Sequence, residues 1–149
     1  MDIASLFDIS AAGMNVERLR LEVSALNLAN ANTTRGPDGR PFIPQQVVVQ
    51  AGLSRFDATL NAAMGGGADA QWGSLPVAQV QTNDVPPRQV YDPGHPDADA
   101  KGFVSYPGVN PVSEMVQLIA VTRAYEANVR AFNAARSMAQ RALDIGSSR

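Results

Sequence analysis

Asp92, His95, Asp97 and Asp99 fall within a single short run, YDPGHPDADA, the densest group of metal-binding and proton-transfer side chains in the chain. A calcium loop of the EF-hand kind needs acids at its first, third and fifth positions, Gly at the sixth and a bidentate Glu at the twelfth. Counting from Asp97, Asp99 and Gly102 fit the third and sixth, but Lys101 stands fifth and Gly108 twelfth. A cation therefore replaces one ligand, and the bidentate carboxylate is missing. His95 is the single His and there is no Cys, so zinc lacks its usual ligands, and thiolate nucleophiles and disulfides are excluded. A triad through His95 would need an activated Ser, and no Ser sits in a Gly-x-Ser-x-Gly context. Gly65-Gly66-Gly67 is followed by Ala68-Asp69, not by the Lys-Ser/Thr of a phosphate cradle, and reads as a surface loop. The acidic run itself reads as turn chemistry. Asp92-Pro93-Gly94 fits a type II turn, with Pro second and Gly third. No catalytic residue, cofactor or metal site is expected.

The elements around that run are more informative. Pro111 to Ile145 contains no internal Gly or Pro and predicts one helix, roughly 50 Å long at 1.5 Å per residue. Asn110 is placed to cap it, Pro111 suits its first turn, and Gly146 is a natural stop. Met115, Leu118, Thr122, Tyr125, Val129, Phe132, Arg136, Ala139 and Leu143 alternate three and four apart, a heptad seam with two polar interruptions. Arg123 and Arg130 also lie seven apart on this helix, and Arg130 follows Glu126 by four.

A second helix is predicted from about Ser5 to Thr33, with Ser5 and Asp8 as its cap. Ile9, Ala12, Val16, Leu19, Val23, Leu26 and Asn30 form one row, and Met14, Leu21 and Leu28 form another. A helix with two apolar rows covers more than one neighbour. Two such helices packed together would leave a row exposed, which points to packing against other chains. Its end, SALNLANANTT, is rich in Asn, a poor helix former. Asn27 and Asn30 share a face there. Either they are C-cap material, which spacing alone favours, or they bond to the backbone of a neighbouring segment and fix register.

Between the helices the composition changes. Nine of the ten prolines and ten of the twelve glycines lie between Gly36 and Val109. The expected divisions are therefore 1–34, 35–110 and 111–149, an α+β chain with a small β-rich middle. Strands are predicted at Gln45–Ala51, Val77–Thr82, Arg88–Tyr91 and Phe103–Tyr106, with a strand or short helix at Leu53–Leu60 and turns at Gly36-Pro37, Asp38-Gly39 and Pro107-Gly108.

A net charge of −2 argues against nucleic-acid binding, which calls for a basic face. Eleven of the twelve basic residues are Arg, a bias that high genomic GC content explains as well as interface chemistry does. No apolar run reaches the ~18 residues of a membrane span. The opening MDIASLFDIS has acids where a secretory signal carries bases, so no cleaved signal is expected.

Three segments together carry a resemblance: SALNLANANTT (Ser24 to Thr34), YDPGHPDADAKGFV (Tyr91 to Val104) and VSEMVQLIAVTRAYEANVRAFNAARSMAQRALDIG (Val112 to Gly146). The chain resembles the flagellar axial proteins, and within them the rod proteins of the basal body. The Asn-rich helix end and the Tyr-x-Ala-Asn segment at Tyr125 to Asn128 are features of the whole group, and the Asp-Pro-Gly-His-Pro-Asp-Ala-Asp run is the most discriminating part. Residues 36–85 carry little of the likeness. Gly108 stands where relatives often have Asn.

The resemblance implies a structural subunit of the proximal rod, exported unfolded by the flagellar type III apparatus and assembled in the periplasm into a hollow tube. It implies that the terminal helices form an inner coiled-coil layer and the middle an outer one. Partners would be copies of itself, the other proximal rod proteins and the distal rod protein, with no nucleic acid. Subunit-interface residues are then Val16, Leu19, Val23, Leu26, Asn27 and Asn30 on the first helix. On the last they are Met115, Leu118, Tyr125, Asn128, Val129 and Phe132. The competing reading is a binding module or hydrolase that uses the middle as its site and the helices as an oligomerisation stalk.

Overall fold

The structure is a computed structural model and describes residues 3–51 and 76–147; the segment Leu53–Leu60 and the triple glycine lie outside them. Helix α1 spans Ile3–Ala29, strands β1 to β4 span Gln45–Ala51, Pro76–Thr82, Arg88–Tyr91 and Phe103–Tyr106, and helix α2 spans Pro111–Ser147. This is the expected α+β order, with long terminal helices and small sheets between them. The described residues fall into two compact units. The first takes Arg18–Val48 and Val80–Arg123, and the second takes the described parts of Met1–Glu17, Val49–Gln79 and Ala124–Arg149. Each unit thus draws on both helices, so compactness does not follow the division by sequence.

Helix α2 begins as its sequence dictates. The Asn110 carboxamide oxygen accepts the backbone N–H groups of Val112 at 3.0 Å and Ser113 at 3.4 Å. Two donors orphaned at the helix start are thereby satisfied. The other end differs from expectation: the helix continues through Gly146 to Ser147, so Gly146 does not stop it. Helix α1 is already helical at Ile3, ahead of Ser5, which rules Ser5 out as its cap. The helix ends by bonds of Asn30, whose backbone N–H and side-chain amide both donate to the Leu26 carbonyl, at 3.1 and 2.9 Å.

The middle is two antiparallel ribbons. In the β1–β2 sheet the Asn83 N–H donates to the Pro44 carbonyl at 2.7 Å, joining the start of β1 to the end of β2. In the β3–β4 hairpin the register pairs Arg88 with Tyr106, Gln89 with Ser105, Val90 with Val104 and Tyr91 with Phe103. Val104 is fully buried and anchors the first unit, together with Val23, Ala31, Pro44, Pro107 and Val121. Tyr91 and Phe103 meet edge to face, with ring centroids 5.3 Å apart. The Arg88 guanidinium lies 5.5 Å from the Tyr106 ring centroid, within cation–π range.

Two glycines are fixed by geometry. Gly102 has φ of +81°, and a Cβ on it would stand 2.9 Å from the Tyr91 ring. At Gly108 a Cβ would meet the Pro86 carbonyl oxygen and the Val85 side chain, each at 2.7 Å. The turn into α2 can approach the β2–β3 connection only because that position has no side chain.

Candidate assembly surface

The acidic run is occupied with holding backbone. The Asp92 carboxylate accepts the Gly94 N–H at 3.2 Å, and the Asp92 carbonyl accepts the His95 N–H at 3.2 Å. The turn therefore closes where expected, but Gly94 is not among the positive-φ glycines, so it is not type II. The Asp92 side chain closes its first half as an Asx turn instead. Asp99 accepts from the N–H groups of Lys101 and Phe103, both at 2.8 Å. The His95 Nδ1 accepts the Asp97 N–H at 3.1 Å. The Asp97 carboxylate reaches farther: Thr34 Oγ1 donates to it at 2.8 Å and the Arg35 guanidinium at 3.4 Å. The loop between β3 and β4 is thus tied to the segment just beyond α1. Among the described residues, no three His, Cys, Asp or Glu side chains come together to hold a metal ion.

The two Asn residues at the end of α1 divide the roles that sequence left open. Asn30 acts locally, capping α1 and accepting the Thr33 hydroxyl at 3.2 Å. Asn27 is 3% exposed and acts at a distance. Its oxygen accepts the Gln45 N–H at 2.9 Å, and its amide donates to the Gln45 carbonyl at 2.8 Å and to Glu114 Oε1 at 3.2 Å. One side chain thereby joins the end of α1, the start of β1 and the first turn of α2. Its polar atoms are committed within the chain.

The helices also meet in the second unit, so the last helix has the first as a partner in cis, the candidate that their matching three-four spacing offers. Phe7 packs edge to face on Phe132 with centroids 4.9 Å apart. Gly13 faces Asn128, where a Cβ would stand 3.2 Å from the amide nitrogen. Moving forward along α1 moves backward along α2, so the two segments run antiparallel there. Val16 and Ala135 are buried in this unit.

Covered positions on α2 are Glu114, Leu118 and Val121 in the first unit, and Ala124, Asn128, Val129, Phe132, Ala135 and Ala139 in the second. Against the expected seam, the line is shifted by one residue at four places, from Met115 to Glu114, Thr122 to Val121, Tyr125 to Ala124 and Arg136 to Ala135. One residue is about 100° around a helix. Of the predicted interface residues, Val16 and Val23 are buried within the chain, and Leu19, Leu118, Asn128, Val129 and Phe132 are half-buried. Leu26, Met115 and Tyr125 remain exposed. What the shift leaves outside is an apolar stripe on the first turns of α2: Val112 (69% exposed), Met115 (52%), Val116 (62%) and Ile119 (57%). These lie at i, i+3, i+4 and i+7, one face of the helix. A contiguous exposed apolar face of this kind marks an interaction surface. No described helix is long and apolar enough to cross a membrane.

Residues 100–145, which include most of α2, match the family described as flagellar basal body rod FlgEFG protein C-terminal. Over these residues the chain is similar to flagellar rod proteins. Curated relatives sharpen this. The flagellar basal-body rod protein FlgC of Escherichia coli O6:H1 is 40% identical over 146 residues, covering 98% of this chain and 99% of the relative. The protein of that name from Bacillus subtilis is 39% identical over 143 residues, covering 93% and 95%. That of Borreliella burgdorferi is 34% identical over 156 residues, covering 97% and 98%. The chain belongs to the flagellar basal-body rod protein FlgC family.

Proposed function

We propose that this chain is a structural subunit of the proximal rod of the flagellar basal body, and not an enzyme. It is exported unfolded by the type III apparatus and assembles in the periplasm, with its own copies and other rod proteins, into a hollow shaft that transmits torque. Residues 1–34 and 111–149 supply the inner helical layer and 35–110 the outer layer. The carrying observation is the exposed apolar stripe of Val112, Met115, Val116 and Ile119. Such a face gains by burial, at about 25 cal/mol per Å² removed from water, and neighbouring subunits are what could cover it. Family membership supports a rod role, and the acidic run supports it by being spent on turns.

The test is Ile119→Asp. Because Ile119 faces solvent, the subunit should keep its circular dichroism and thermal unfolding while rods and motility are lost. Normal rods from this variant would remove the stripe from assembly.

A further inference from the structure

The β3–β4 ribbon has one blocked edge and one open edge. The Asp92 N–H donates to the Gly102 carbonyl at 2.9 Å, and these two residues continue the register that pairs Tyr91 with Phe103. Bonds between antiparallel strands fall on every second residue. Arg88 and Val90 therefore bond to β4, while the N–H and C=O groups of Gln89 and Tyr91 point away from it. On the β4 side the outward groups of Phe103 are taken: its N–H donates to the Asp99 carboxylate and its carbonyl accepts the Asp99 N–H, each at 2.8 Å. On the β3 side nothing among the described residues bonds to the outward groups of Gln89 and Tyr91, and every residue from Asp84 to Gly94 is exposed. An open strand edge is a template for another strand. We infer that this edge pairs with the same edge of a second copy of the chain, antiparallel and centred on Val90.

The residues around Val90 select that occupant and that register. In PRQVYDP, Pro87 and Pro93 lie equally far from Val90, and so do Arg88 and Asp92. With Val90 opposite the partner's Val90, the outward groups of Gln89 meet those of the partner's Tyr91, and the reverse, which makes four main-chain hydrogen bonds. Arg88 then faces the partner's Asp92, an opposite-charge cross-strand pair that the symmetry repeats. Arg88 lies over Tyr106 and has no acidic partner among the described residues. Asp92 spends one carboxylate oxygen on the Gly94 N–H and keeps the other. A slip of two residues sets Tyr91 opposite the partner's Pro87, or Gln89 opposite the partner's Pro93, and proline has no N–H to give. A slip of one sets outward groups against inward ones. The pair is isologous and closed, and an edge of this length makes a weak contact. It is a contact between free subunits, separate from the open helical contacts of the assembly reading, and does not rest on that reading.

The experiment is disulfide trapping in the full-length chain, which has no Cys of its own. Val90→Cys sets two thiols on the twofold axis, at a non-hydrogen-bonded pair with Cα atoms about 4.5 Å apart, within disulfide reach. Val85→Cys, at a residue of matched exposure (37% against 36%), is the control. With diamide as oxidant, Val90→Cys should form the linked dimer faster than Val85→Cys. Adding Gln89→Pro removes two of the four bonds and leaves the pairing with β4 intact, so trapping should slow about tenfold or more. Arg88→Glu and Asp92→Lys, each added to Val90→Cys and checked for unchanged thermal unfolding, should slow it separately. An equal mixture of those two chains should restore it, because both cross-strand charge pairs are then attractive. Trapping of Val90→Cys no faster than that of Val85→Cys overturns the pair, and so does a rate that Gln89→Pro leaves unchanged. Slowing by both reversals with no recovery in the mixture overturns the register. Ile119→Asp added to Val90→Cys should leave trapping unchanged, so failure of the assembly reading is read separately.

Discussion

Both compact units bury apolar side chains, Val23, Val104 and Val121 in the first and Val16 and Ala135 in the second, and they differ in what fixes register beside that core. The first is held where three chain segments converge on directional bonds: Asn27 to Gln45 and Glu114, and Asp97 to Thr34 and Arg35. The second is held by shape, with Phe7 against Phe132, Gly13 against Asn128, and the buried Val16 and Ala135. Directional bonds tolerate no shift of register, because a misplaced donor leaves a buried acceptor empty. Packing of small and apolar groups tolerates some adjustment, because side chains can move together. The difference teaches where the sequence fixes register: at the Asn-rich end of α1, where loop and strands join the helices, more firmly than along the helical pair of the second unit.

The sharpest way to break this contrast is Asn27→Ala. It empties two bonds on Gln45 and one on Glu114 at a buried position, and should cost about 2–3 kcal/mol in urea unfolding. Exchange of the Gln45 amide hydrogen should accelerate by the corresponding factor. A loss below about 0.5 kcal/mol would mean that water replaces Asn27, and the first unit is then not bond-held. Next in size is Gly108→Ala. The added methyl meets a backbone oxygen, which cannot rotate away, so a loss of about 2 kcal/mol is expected from backbone displacement. Smallest is the same substitution in the second unit, Gly13→Ala. There the neighbour is the end of the Asn128 side chain, which can yield a few tenths of an ångström. Alanine's helix propensity, worth up to about 1 kcal/mol over glycine, offsets the contact, so the net change in thermal unfolding should be close to zero. Equal losses at Gly13 and Gly108 would erase the distinction between the units.

Much of this was legible in the sequence. The absence of Gly and Pro between Pro111 and Gly146 gives α2, Asn110 gives its cap, and the β-branched and aromatic runs give all four described strands. Those signals are local, and local rules decide them. The phase of the helical seam is not local. Apolar residues stand at adjacent positions, such as Met115 and Val116, so a three-four spacing fits more than one face. The contact line that the fold selects includes small residues, Gly13 and Ala135, which a search for large apolar side chains passes over. The same holds for Asn27 and Asn30, three residues apart and identical in type. Only the positions of Gln45, eighteen residues beyond Asn27, and of Glu114 give one of them long-range partners. Gly94 shows the converse. A Pro-Gly pair indicates a type II turn, but the Asp92 side chain supplies a competing bond that closes a different one.

The β3–β4 ribbon carries a mechanical consequence. Its register sets Arg88 beside Tyr106, so both strands leave the pairing at the same end. Tension along the polypeptide therefore loads its hydrogen bonds one after another, like the teeth of a zipper, and never all at once as in shear. A filament subunit pressed sideways by its neighbours does not feel that weakness, but a chain drawn lengthwise through a narrow passage does. The same hairpin can thus yield to threading and resist crowding, with no change in its contacts.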